Sequence, residues 1–356
     1  MGTAKFGDVV REVKVNVNRT NNPYQYYVAG DHMDSEDLTI HRFGNFATDD
    51  VGPAFTRIFK PGQVLYGSRR TYLKKVAVAD REGICANTTF VLESKDDSIF
   101  DNRLLPFLML SEGFTQWSIS HSKGSTNPYV LFSDLASYEF ELPSIEQQRI
   151  LADKLWAAYR LKESYKKLLA ATDEMVKSQF IEMFGDPVTN DKKWETQPIQ
   201  EIAPEKPSND LQEGNVWLLN LDMIEPNTGR VIEKVYVDSK ELLSVSPFDE
   251  GNVLFSKLRP YLNKVVIPNG KGYATTELLP LRPNGKKLNK TFFSYLLRSD
   301  EFVTYANSIA TGTKMPRMPL TSLRKFECIL PPMEQQQQFV AIAEQSDKSK
   351  YNEYKS

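Results

Sequence analysis

The chain has 356 residues, 40% hydrophobic and 11% aromatic, and its 44 Lys and Arg against 46 Asp and Glu give a formal net charge of −2. That length holds about two domains with cores of their own, and the near-neutral total by itself argues for no acidic partner. Apolar runs such as residues 104–110 are too short to span a bilayer, and Met1 leads into Lys5, Asp8 and Arg11 with no apolar core, so neither a membrane segment nor a secretory leader is expected.

In chain order, the first half opens with β-rich segments, including 64–66 and 76–78, punctuated by Gly and Pro. A helix is expected over 104–117, then a Gly/Ser/Thr-rich loop over 122–128 and a strand over 138–142. After Pro143 the pattern changes. Ser144 is placed to cap a helix, and Gln147, three residues on, completes a capping box. Apolar side chains then recur at Leu151, Leu155, Ala158, Leu161, Tyr165, Leu168, Met175, Phe180 and Met183, one stripe of a helix that stops at Gly185 and Pro187. It has about 40 residues and is roughly 60 Å long, a strut in search of a coiled-coil partner. Residues 184–194 read as a hinge into a second half of the same plan: a helix over 292–306, a loop over 311–316, a strand over 326–330 and a final helix from Met333.

The two halves match residue by residue. Residues 59–66 align with 248–255 at a spacing of 189, which persists ungapped through Arg70/Arg259, Tyr72/Tyr261, Lys75/Lys264 and Gly83/Gly272. After a one-residue slip the match resumes at 188, pairing Gly124 with Gly312, Pro128 with Pro316 and Glu146-Gln-Gln148 with Glu334-Gln-Gln336. So many coincidences at one spacing mean a duplication, and the fold class is α+β with two repeated globules, each followed by a helix.

Charge is unevenly spread. Basic runs over 57–81 and 257–290 contain one acidic residue each, Asp80 and Glu277, and they fall at matching positions of the repeat, which suggests two polyanion-contacting surfaces. Catalytic signatures are missing by the same reading. Asn22-Pro23-Tyr24 and Asn127-Pro128-Tyr129 lack the second proline of an adenine-methylating turn, no phosphate-binding Gly-rich loop occurs, and His32, His41 and His121 have no metal-type spacing. Cys85 and Cys328 sit in apolar contexts and are expected as buried thiols of a reducing cytoplasm. The chain reads as a binding module.

Two globules that each end in Leu-Pro and a helix opening Glu-Gln-Gln, with Phe180-Ile-Glu-Met-Phe-Gly-Asp-Pro187 closing the first helix, closely resemble the DNA specificity subunit of type I restriction–modification enzymes. The resemblance implies a non-catalytic chain: residues 1–142 and 188–331 as target-recognition domains for the halves of a bipartite asymmetric site, and 143–187 and 332–356 as antiparallel coiled-coil spacer helices. Double-stranded DNA, two methyltransferase subunits and restriction–translocase subunits are the partners it implies. It implies no cofactor on this chain; S-adenosylmethionine, ATP and Mg²⁺ would be bound by those partners. One departure is the second helix, roughly 24 residues with a thin stripe of Phe339, Ile342, Ala343, Tyr351 and Tyr354, too short to cover the first. DNA-contact candidates are Arg69, Arg70, Lys74, Lys75, Lys123, Ser125, Lys257, Arg259, Lys264, Thr313, Lys314 and Arg317, because cations grip phosphates and arginine can bond guanine bidentately. Tyr72 and Tyr261 are expected as core or strand residues. The alternative is a coiled-coil scaffold linking two protein-binding globules, which a steep salt dependence of DNA affinity would separate from the first reading.

Overall fold

The computed structural model describes residues 2–18 and 22–353, with side chains as far as Ser346. The chain forms two compact units, Met1–Glu163 and Ser164–Ser356, so that each half of the long helix is built into the globule it adjoins.

Within the first unit one antiparallel sheet is ordered Val10–Glu12, Thr89–Ser94, Val64–Gly67, Val76–Val78. A second is ordered Gly44–Asn45, Tyr26–Val28, Gly83–Ala86, Phe55–Phe59, and its middle pair is parallel. Alternation of side chains along a strand explains why the run Val64-Leu65-Tyr66 is apolar throughout. Val64 and Tyr66 pack with Phe6, Leu105 and Phe114 on the helical side, whereas Leu65 packs with Val28, Phe59 and Cys85 of the second sheet. The sheet is covered on both faces, so neither face needs polar side chains.

The second unit repeats this plan. Val253 and Phe255 join the helical core, and Leu254 joins the core of the other sheet. Its sheets are ordered Val265–Val266, Val253–Ser256, Leu278–Leu281 and Val235–Asp238, Asn215–Leu219, Gly272–Thr275, Val245–Phe248, again with a parallel middle pair. A single bridge from Glu205 to Leu281 stands where the first unit has the strand Val10–Glu12, whose Glu12 pairs with Leu92. Strand order is therefore the same in both units, as the duplication requires. The expected helices over 104–117 and 292–306 are each two helices: Leu105–Leu110 and Glu112–Ser120, then Lys290–Arg298 and Asp300–Ser308. The breaks fall at Ser111 and Ser299, whose extended backbone and hydroxyls cap the next helix by accepting from the N–H groups of Phe114 and Phe302.

The long helix runs Ile145–Phe184, 40 residues. Its capping box is formed: Ser144 N–H donates to Gln147 Oε1 at 3.2 Å and Gln147 N–H to Ser144 Oγ at 3.4 Å. Gly185 ends it at φ +74°. The 184–194 segment is closely knit rather than hinge-like: Trp194 Nε1 donates to Phe184 O at 2.8 Å, and Asp191 accepts from Asp186 N–H at 2.9 Å.

The reason for the repeated Glu-Gln-Gln is its second glutamine. Gln148, 1% exposed, accepts from Asp101 N–H at 2.9 Å and donates to the carbonyls of Ile99 and Pro143, each at 2.9 Å. Gln336, fully buried, does the same with Asn289 N–H (2.9 Å), Lys287 O (3.0 Å) and Pro331 O (2.7 Å). Each clamps the start of its helix to the loop before the helical pair.

The final helix spans Met333–Glu353. Phe339 packs edge-on against Phe180 and Phe184 of the long helix, and farther along Glu344 borders the same cavity as Leu169 and Asp173. The two helices thus run in opposite directions within the second unit. Leu161, Tyr165, Leu168 and Met175 of the long helix are exposed. Of the expected stripe on the final helix, Phe339 and Ala343 are buried; Tyr351 and Tyr354 lie outside the described side chains. Cys85 and Cys328 are buried free thiols, and burial pushes the Cys85 thiol up to about 12.

Candidate nucleic-acid interface

The basic stretch and the Gly/Ser/Thr-rich loop, more than 50 residues apart in sequence, meet in each unit. Arg70 N–H donates to Pro128 O at 2.7 Å, Val130 N–H to Ser68 O at 2.9 Å, and Lys123 and Tyr129 exchange backbone hydrogen bonds. In the second unit Arg259 N–H donates to Pro316 O at 2.7 Å, Met318 N–H to Lys257 O at 2.9 Å, and Thr311 and Arg317 form the matching pair. Gly124 (φ +85°) and Gly312 (φ +108°) let each loop turn at a backbone conformation side chains resist. The same scaffold therefore presents an arginine-bearing turn beside a loop tip in both units.

Twelve candidate side chains divide by what already holds them. Among the described residues, Arg69, Arg70, Ser125, Thr313 and Lys314 are exposed and their side chains have no partner. Arg259 is half-buried; one terminal nitrogen donates to Lys314 O at 3.4 Å, and its Nε is buried with no partner among the described residues. Lys123 pairs with Asp134 at 3.1 Å, and Lys257 (3.9 Å) and Arg317 (2.9 Å) share Glu277. The hydrogen bonds from Arg317 to Glu277 raise the arginine further above its ordinary value. Lys74 is bonded to Glu36 at 2.8 Å, which raises the ammonium and lowers the carboxyl. Lys75 donates to Gly30 O, and Lys264 to Leu221 O at 2.6 Å. Burial pushes Lys264 down, with Asp222 opposing it. These last three hold the fold rather than reach outward.

The basic runs are consequently less free than their sequence suggests. Arg57 pairs with Glu12, Arg81 pairs with Asp80 and lies over Phe43, Lys271 pairs with Asp210, and Arg282 pairs with Asp249 at 2.7 Å. The partners of Arg57, Lys271 and Arg282 come from outside the runs, so counting charge within a run misses them. Among the described residues, the exposed cations of the runs whose side chains have no partner are Lys60, Arg69, Arg70, Lys286 and Lys287, and of these Arg69 and Arg70 lie at the turn beside the loop tip.

Tyr72 and Tyr261 correct an expectation. They are 53% and 48% exposed, not core or strand residues, because they sit on 3₁₀ turns, Thr71–Leu73 and Pro260–Leu262, just past Arg70 and Arg259. The aromatic-Leu pair reads as strand by composition, but it lies between two strands and aligns with neither. The fold also gathers Asp37, His41 and Glu163, whose ligand-capable atoms lie within 4.8 Å of one another; Asp37 there accepts from Tyr159 OH at 2.6 Å. Sequence spacing gave no sign of this group.

A family model described as the type I restriction modification DNA specificity domain matches the chain twice, over residues 11–171 and 191–354. The chain is 23% identical over 267 residues to the type I restriction enzyme EcoDI specificity subunit of Escherichia coli, covering 63% of this chain and 58% of that protein. It is 24% identical over 283 residues to the MjaVIII specificity subunit of Methanocaldococcus jannaschii, covering 72% and 65%. The match thus spans less than two thirds of the length of both curated relatives. In fold it is similar to the S subunit of a type I restriction-modification system from M. genitalium, with a TM-score of 0.53 at 12% identity over 99% of this chain and 91% of that one.

Proposed function

The chain belongs to the type I restriction modification DNA specificity family, and on that premise we propose that it is the DNA-sequence-recognition subunit of a type I restriction–modification complex, without a catalytic centre of its own. The observation that carries this reading is the repeated presentation of one turn and one loop tip, joined by the same backbone hydrogen bonds in both units. Two equivalent surfaces suit a bipartite site, and their different loop residues suit an asymmetric one. Phosphate contacts by the free cations supply affinity, and polar loop side chains beside them reach base edges.

The long helix and the final helix act in this reading as an antiparallel coiled-coil spacer between target-recognition domains. Support comes from the opposed directions of the two helices around Phe180, Phe184 and Phe339. Two methyltransferase subunits dock on the helices and restriction–translocase subunits join them, in the cytoplasm. S-adenosylmethionine, ATP and Mg²⁺ are bound by those partners.

The test is the affinity of the chain with its methyltransferase partner for duplex DNA across a salt series. A steep dependence is expected, and replacing Arg70 and Lys314 with Gln should each lower its slope by roughly one. A slope that is flat in the wild type refutes DNA recognition and favours a protein-binding scaffold.

A further inference from the structure

The turn that follows each αL arginine has the same sequence logic in both units. Arg70-Thr71-Tyr72-Leu73-Lys74-Lys75 stands against Arg259-Pro260-Tyr261-Leu262-Asn263-Lys264, so Arg, Tyr, Leu and the last Lys are identical. Each 3₁₀ turn is bracketed by two non-glycine residues in the left-handed region, Arg70 (φ 51°) and Lys74 (φ 47°), then Arg259 (φ 49°) and Asn263 (φ 48°). Such conformations persist only where the surroundings fix them, and here the surroundings match as well. Leu73 N–H donates to Arg70 O at 2.8 Å and Leu262 N–H to Arg259 O at 2.9 Å, while the arginine N–H of each turn is held by the loop proline carbonyl. The result is two rigid projections, each carrying a half-exposed tyrosine whose hydroxyl has no partner among the described residues.

The loop tips beside these turns differ. Ser125-Thr126-Asn127 in the first unit aligns in sequence with Thr313-Lys314-Met315 in the second. Unlike Lys75 and Lys264, which are bonded to carbonyls of their own unit, an outward-facing residue identical in both units can serve what two different half-sites have in common, and that is the sugar–phosphate backbone. Resting on the DNA-recognition reading above, we infer that Arg70-Tyr72 and Arg259-Tyr261 are sequence-blind grips on the duplex backbone, with each tyrosine hydroxyl donating to a phosphodiester oxygen beside the arginine. Base choice then falls to the dissimilar tips. The rigid turn sets the register in which each tip meets the groove, since backbone contacts position and base contacts specify.

The experiment uses the full chain with its methyltransferase partner. Binding is measured on a duplex carrying the methylated motif and on one with both half-sites scrambled, over a salt series. Tyr72→Phe and Tyr261→Phe keep the ring, so melting temperature should stay at the wild-type value. Each should weaken binding to both duplexes by the same factor, at least about ten-fold for one lost hydrogen bond to a charged phosphate. The cognate-to-scrambled ratio and the salt slope should not change. Arg70→Gln should likewise leave the ratio intact but lower the slope by roughly one, whereas Thr126→Ala should lower the ratio. A loss confined to the cognate duplex in the Phe variants means the turn reads bases, and no loss on either duplex means it touches nothing; both overturn the inference. A wild-type complex that binds neither duplex defeats the DNA-recognition reading itself, and the inference with it.

Discussion

Adjacent glutamines at the start of the long helix should differ sharply in what they hold. Gln148→Ala removes three hydrogen bonds of 2.9 Å and leaves Asp101 N–H and the carbonyls of Ile99 and Pro143 without their partner at a site 1% exposed. An orphaned buried N–H costs about 1–2 kcal/mol and each carbonyl about 0.5–1, so with the lost packing the first unit should lose about 3 kcal/mol. Gln147, exposed and engaged only in the capping box, should cost about 0.5–1 kcal/mol when replaced by Ala. Urea unfolding followed by tryptophan emission is the assay, because Trp117 and Trp156 report on the first unit and Trp194 and Trp217 on the second. With a slope of about 2 kcal/mol/M for a domain of this size, Gln148→Ala should lower the first-unit midpoint by about 1.5 M and leave the second unit in place. Gln336→Ala should do the converse. A Gln148→Ala midpoint no lower than that of Gln147→Ala would refute the clamp.

Lys75→Gln and Lys264→Gln should lower stability by about 1 kcal/mol each while leaving the salt slope of DNA binding unchanged, since both ammonium groups are bonded to carbonyls of their own unit; a lower slope would place them on phosphates instead. Burial pushes Asp249 up, but Arg282, Ser208 and Gly251 N–H outweigh it and hold the carboxyl at about 2. A depressed carboxyl stabilises the fold above its unfolded value and loses that stabilisation as pH falls through the folded one, so wild type should lose about 2 kcal/mol between about pH 4 and pH 2 at this site. Asp249→Asn should flatten that part of the acid-unfolding curve, and an unaltered curve would contradict the ion pair. Inserting four residues beside Ala170 lengthens the helix by about 6 Å and keeps its apolar stripe nearly in phase, so the gap between half-sites should grow by about two base pairs; efficient methylation at the original spacing would show that the helix does not set it.

The capping box at Ser144 and the stop at Gly185 are local, and the long helix followed from them. The duplication gave the equivalent elements, because two copies of one fold keep residues at a constant spacing. Side-chain destinations were not local. Arg57 meets Glu12 and Lys271 meets Asp210 across long stretches of chain, so part of the charge that looks free in sequence is neutralised in space. For Tyr72 and Tyr261 an aromatic beside a leucine suits a strand as well as a turn, and the 3₁₀ turns that follow the left-handed Arg70 and Arg259 are not marked by any glycine. Ser111 and Ser299, each followed by an acidic residue and three positions on by Phe, carry a local cap signal that interrupts the helix in both units.

The proposed role of this chain is to select DNA sequence for a methyltransferase. Its most direct test is the pattern of methylated bases in genomic DNA from cells carrying the chain with that partner, compared with cells carrying the partner alone. One motif that depends on the chain is expected, with two dissimilar half-sites separated by a spacer of fixed length and unspecified sequence. A methylation pattern identical with and without the chain, or a single continuous motif, would contradict it.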